Sequence, residues 1–192
     1  EDSDPDVGPT PGMAQARNPK DCDGNTPLHL AVENGHNDIF DLIVDSIGNM
    51  EINPINFKGF VTPLHLAAKK GNSHVCNYYL DIDSVDRYEF DNFVCPTDIN
   101  LDTPLHFAAR LGHFEICKNI LKHVYNDHGT DGVEYDKIPR NSNGETPLSL
   151  AAKAGHNEVT RLIMEYQLPE GPCEYTGRPR YDCLLTACHV TA

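Results

Sequence analysis

A threonine followed by Pro-Leu recurs four times, at Thr26, Thr62, Thr103 and Thr146, and each time opens a segment that closes on a glycine nine residues later. The segments align without gaps from Thr26-Pro27-Leu28-His29 to Gly35, from Thr62 to Gly71, from Thr103 to Gly112 and from Thr146 to Gly155. The threonines stand 36, 41 and 43 residues apart. A period in this range is the mark of a solenoid, in which each unit buries its apolar face only against its neighbours. No other feature of the chain narrows its folding as far.

Each part of the motif has a physical task. Threonine caps a helix, and proline at the first helical position loses nothing by lacking an N–H. The apolar pairs Leu28 and Leu30, Leu64 and Leu66, Leu105 and Phe107, and Leu148 and Leu150 are expected to fill the core between units. Ala67-Ala68, Ala108-Ala109 and Ala151-Ala152 are small enough to let helices approach closely. Gly35, Gly71, Gly112 and Gly155 supply the positive φ that ends the helix. A second helix then follows in each unit, on the helical spacing of Ile39, Leu42 and Ile43; of Val75, Tyr78, Tyr79 and Leu80; of Ile116, Ile120 and Leu121; and of Val159, Leu162 and Ile163.

This pattern resembles the ankyrin repeat, whose period is about 33 residues. The resemblance covers roughly 21 to 167 and implies an all-α solenoid of helix–turn–helix units with protruding hairpin loops. Four units are expected within 19–167, at about 21–55, 56–96, 97–139 and 140–167. Residues 1–18, acidic and rich in Pro and Gly, read as a disordered tail, and 168–192 as a partial or degenerate fifth repeat or cap around Asp182–Cys188. Three departures stand out: an extra residue between Gly59 and Thr62, Leu101 in place of the turn glycine, and Ser149 in place of histidine.

Function follows the resemblance: an interaction module that binds a partner peptide or domain through its concave face and hairpin loops. The alternative is a regulatory or targeting segment of a larger enzyme, channel or host-directed bacterial or viral effector, packing within its own chain. The exposed pairs before each helix-ending glycine are Glu33 and Asn34, Lys69 and Lys70, Arg110 and Leu111, and Lys153 and Ala154. Lys69, Lys70, Arg110 and Lys153 form a basic stripe suited to an acidic or phosphorylated segment of another protein. Solvated helix-forming side chains are the plainer reading of the same residues. The segment from Asp81 to Asn100 is a long insertion that interleaves Tyr88, Phe90 and Phe93 with acids, a second candidate contact.

The net charge of −14 argues against nucleic acid and anionic membrane surfaces as partners. Seven cysteines without a close-spaced framework read as reduced thiols in an intracellular protein, cytoplasmic first, nuclear or host-cytosolic otherwise. Neither the ten histidines nor Cys173, Cys183, Cys188 and His189 have metal-ligand spacing, and no nucleophile or phosphate-binding motif is present. No metal, cofactor or catalysis is expected, and a monomer is.

Overall fold

A computed structural model describes residues 18–47, 53–83, 96–126 and 139–167. They form four helix pairs: α1 (Pro27–Glu33) with α2 (Asn37–Ile47), α3 (Pro63–Lys70) with α4 (Ser73–Asp83), α5 (Pro104–Leu111) with α6 (Phe114–Asn126), and α7 (Pro147–Lys153) with α8 (Asn157–Gln167). The first helices pack on one another in one row and the second helices in a parallel row. Among the described residues there is no strand, so the fold is the expected all-α repeat stack. The expected tail, the acidic aromatic segment with Tyr88, Phe90 and Phe93, and the fifth unit around 182–188 lie outside the described residues. Asp81 and Asp83 belong to the last turn of α4, so the inserted segment starts later than the sequence suggests.

The core runs between the two rows. Leu28, Leu64, Leu105 and Leu150 are buried, as are Ala67, Ala68, Ala108, Ala109 and Ala151. Phe40, Cys76, Cys117 and Thr160 occupy one register position of the second helices, and all four are buried. Phe40 meets Tyr78 and Tyr79 edge to face, at 5.3 and 5.9 Å between ring centroids, an arrangement that adds to area burial.

Two expectations about the core need correcting. Leu30 is 44 % exposed, and Leu66 and Phe107 at the same position are only partly buried; the fourth unit reverses this, with Leu150 at that position buried and Leu148, two residues earlier, only partly buried. Ile39 and Leu42 are 44 % and 67 % exposed. Val75, Ile116 and Val159, in the register of Ile39, are buried, and their helices pack on the second helix of the preceding pair, whereas no described pair precedes the first. The buried side of α2 is instead Phe40, Val44 and Ile47.

Gly112 ends α5 at φ 75°, and a Cβ built there would stand 2.6 Å from Nδ1 of His156. That ring is held by its Nε2, which donates to the Arg110 carbonyl at 3.1 Å. Gly35 has the same left-handed backbone with nothing within 4 Å. Gly112→Ala is therefore expected to cost about 2 kcal/mol, backbone strain plus a displaced ring, and Gly35→Ala about 1 kcal/mol from the backbone alone. Urea unfolding of the two variants checks this; equal losses would remove the ring from the account.

Candidate functional site

The face carrying the expected contacts is made by the first helices and the hairpins that precede them. Each hairpin is organised by one side chain at its entry. Asp21 Oδ1 accepts from the backbone of Asp23 and Asn25 at 2.9 and 2.8 Å. Asp98 Oδ1 does the same for Asn100 and Asp102, both at 2.8 Å. Asn141 Oδ1 accepts from Asn143 and Glu145 at 3.1 and 2.9 Å. In the second hairpin Asn56 Oδ1 reaches one residue further, to Gly59 and Val61 at 3.2 and 3.0 Å, which absorbs the extra residue. The short polar side chain substitutes for a backbone acceptor and closes the turn locally.

The hairpins are tied in series. Phe57 donates its N–H to the Asp23 carbonyl, Ile99 to Gly59 and Ser142 to Asn100, each at 2.8 Å. Below them, three buried imidazoles join consecutive units. Nδ1 of His29, His65 and His106 accepts the N–H of Thr26, Thr62 and Thr103 at 3.1, 3.2 and 3.1 Å. The proton therefore sits on Nε2, which donates forward to the carbonyls of Val61, Asp102 and Glu145 at 2.9, 3.1 and 3.2 Å. Burial pushes all three imidazoles below the ordinary histidine value, and the carbonyl bond raises them in part. They are neutral structural pins. Ser149, at the same position in the fourth unit, accepts from Thr146 N–H at 2.9 Å and returns its hydroxyl proton to the Thr146 carbonyl.

At the turn itself Gly24 and Gly144 hold φ 81° and 74°. In the middle hairpins the same place is taken by Phe60 and Leu101, at φ 54° and 60°. In the second hairpin Gly59 arrives one residue too early to serve. A left-handed conformation costs an L-residue about 1–2 kcal/mol, yet both side chains stand about half exposed, with Ile99 61 % and Phe57 65 % exposed on the same two hairpins. The two turns thus hold large apolar groups in water in a strained backbone. Neither departure from the motif revealed this exposure, although Leu101 in the glycine's place was its visible signal.

The basic stripe is only half available. Arg110 Nη2 lies 2.9 Å from Oδ2 of Asp102, whose side chain is 6 % exposed. Asp102 Oδ1 accepts from Asn141 Nδ2 at 2.9 Å, so the carboxylate is satisfied by two units. Lys153 Nζ lies 2.6 Å from Glu145 Oε1, and that contact holds the Glu145 carboxyl below the usual range, with help from Asn141. Each cation reaches back eight residues to the acid that follows its own turn. Lys69 and Lys70 are exposed and pair with no carboxylate among the described residues. Glu33 and Asn34 are exposed, the Asn34 amide donating to the Leu30 carbonyl at 2.8 Å. Leu111 is 45 % exposed. The structure therefore leaves Lys69, Lys70 and Leu111 outward on this face and turns Arg110 and Lys153 to the protein's own acids.

Among the described residues no group of three or more His, Cys, Asp or Glu side chains could hold a metal ion, and no helix is long and apolar enough to cross a membrane. Cys76 and Cys117 are buried free thiols, each pushed up to about 12 by burial, too high for a nucleophilic thiolate at neutral pH. A family model described as ankyrin repeats (3 copies) matches residues 11–88 and 64–173. No curated protein matches the chain.

Proposed function

Because the chain belongs to the ankyrin-repeat family, whose repeats in general mediate protein–protein interaction, we propose that it is an adaptor or targeting module that binds another protein across its hairpins and first helices. The observation that carries the reading is the pair of strained turns. Phe60 and Leu101 stand where the first and fourth hairpins place glycine, and both present an apolar side chain to solvent. Glycine would relieve the backbone and remove an exposed apolar group. A chain that keeps Phe and Leu there forgoes stability, a cost typical of residues placed for contact. A rigid, tied row of hairpins also avoids most of the ordering cost of binding. An intracellular location belongs to the same reading and is supported by the free thiols Cys22, Cys76 and Cys117.

Phe60→Gly with Leu101→Gly is expected to leave thermal stability unchanged or raise it by up to about 1 kcal/mol per site, while partner capture from a cell lysate falls. A protein retained on the wild type and lost from the double variant is the expected result. A partner held equally by both would move the contact away from the turns. A marked loss of stability would show that the side chains act in the fold.

A further inference from the structure

Among the described residues, the third and fourth units have an internal ion pair that the second unit lacks. Arg110 finds Asp102 and Lys153 finds Glu145, each eight residues back and one residue past the turn. In the second unit the cation is present as Lys69, but the residue in the acid's place is Val61. The neighbouring Lys70 is equally exposed and equally unpaired among the described residues. Two ammonium groups with no carboxylate partner among the described residues thus stand at the end of α3, in the unit whose hairpin position in this register is apolar. Phe60 immediately precedes Val61, and the third hairpin, with Leu101 at its turn, is tied to the second through Ile99 N–H and the Gly59 carbonyl at 2.8 Å.

We propose that this vacancy is the recognition site of the module, and that its occupant is a segment of another protein carrying a carboxylate next to apolar side chains. The inference rests on the interaction reading above and names the chemistry of the partner. An aspartate or glutamate of the partner takes, over Val61, the place that Asp102 and Glu145 fill in the next two units, and pairs with Lys69 with Lys70 beside it. Apolar residues flanking that acid pack on Phe60 and Leu101. The charge of −14 on the whole chain does not oppose this. Screening limits exposed charges to about 8 Å at physiological salt, so the two lysines decide the sign where the acid arrives. Val61 beneath the contact supplies a surface from which water is readily displaced, and a charge-assisted hydrogen bond there is stronger than one to bulk-exposed groups.

The test uses the full chain and a displayed library of short random peptides. Enriched peptides are expected to carry Asp or Glu adjacent to Phe, Leu or Ile, and a synthetic copy with Glu changed to Gln should bind roughly tenfold more weakly. Val61→Asp should abolish that difference, because the protein's own carboxylate then pairs Lys69 as in the next two units. Lys69→Gln changes only an exposed side chain, so it gives the same readout if Val61→Asp alters folding. Enriched peptides without acid preference, or an acid preference that survives both variants, would overturn the proposed chemistry while leaving a binding module in place. A library yielding no binders at all would sink the interaction reading with it.

Discussion

His65→Ala should destabilise the protein by about 4 kcal/mol, a large share of the roughly 5–15 kcal/mol that holds a domain together. The ring is 1 % exposed and fills the space between the second and third units. Its removal strands the Thr62 N–H and takes away the Nε2–H donor from the Asp102 carbonyl. That carbonyl keeps one partner, the N–H of Asp98 at 3.0 Å. An unsatisfied buried polar group costs about 1–3 kcal/mol, and the cavity adds to that. His65→Ser is the informative companion. Serine at the same position in the fourth unit satisfies the threonine N–H and turns its own hydroxyl proton back to the Thr146 carbonyl, so in the second unit it would leave the Asp102 carbonyl without its imidazole donor. The serine variant should therefore lose about half as much. Urea titrations of both, followed by circular dichroism, check the ordering; equal losses would mean that the forward bond to Asp102 contributes nothing.

The second large effect is a collective loss of stability in mild acid. His29, His65 and His106 have folded-state values lowered from 6.5, chiefly by burial. In the unfolded chain each takes up a proton near its ordinary value of about 6.5, whereas the native ring resists, because Nδ1 faces a threonine N–H and has no room for a second proton. Below about pH 6.5 the unfolded state binds more protons, so stability falls as pH drops and is full above that value. Each ring contributes at most about 1.4 kcal/mol per pH unit until its native value is passed, and the three act together for about 4 kcal/mol per unit at the steepest. Urea midpoints measured from about pH 7 down to about pH 5 should fall steeply, and His65→Ser should flatten the slope by about a third. A level profile would mean that the rings are protonated in the native state.

The stack was legible because its signals are local. Thr-Pro, the leucine after it and the helix-ending glycine each act within one turn of helix, and all four copies form the helix pair, with that leucine buried in the first three and partly buried in the fourth. The errors came from relations the period of a helix does not carry. Ile39 and Leu42 have the spacing of core residues, but the residues buried at the register of Ile39 sit on helices that pack on a preceding second helix, and α2 has no such described neighbour. Arg110 and Lys153 look like a solvated stripe until the folded first helix brings them beside Asp102 and Glu145, eight residues earlier and just before the capping threonine. The clasp residues Asp21, Asn56, Asp98 and Asn141 were readable in principle: each stands five or six positions before the helix-capping threonine, a short polar residue in front of a turn. The exposed Phe60 and Leu101 could be suspected only through the glycine they displace.

That clasp has an evolutionary corollary. Each of the four described hairpins is closed by its own Asp or Asn and fastened to its neighbour by main-chain and imidazole bonds, so the row is aligned by bonds between the hairpins themselves. The connections between one unit and the next can then drift in length. Doubling such a connection costs only about 0.6 kcal/mol of closure entropy, and spacings of 36, 41 and 43 residues are carried by one regular scaffold. Insertions can accumulate there, be trimmed or acquire new side chains over generations, while the neighbouring hairpins keep their mutual setting.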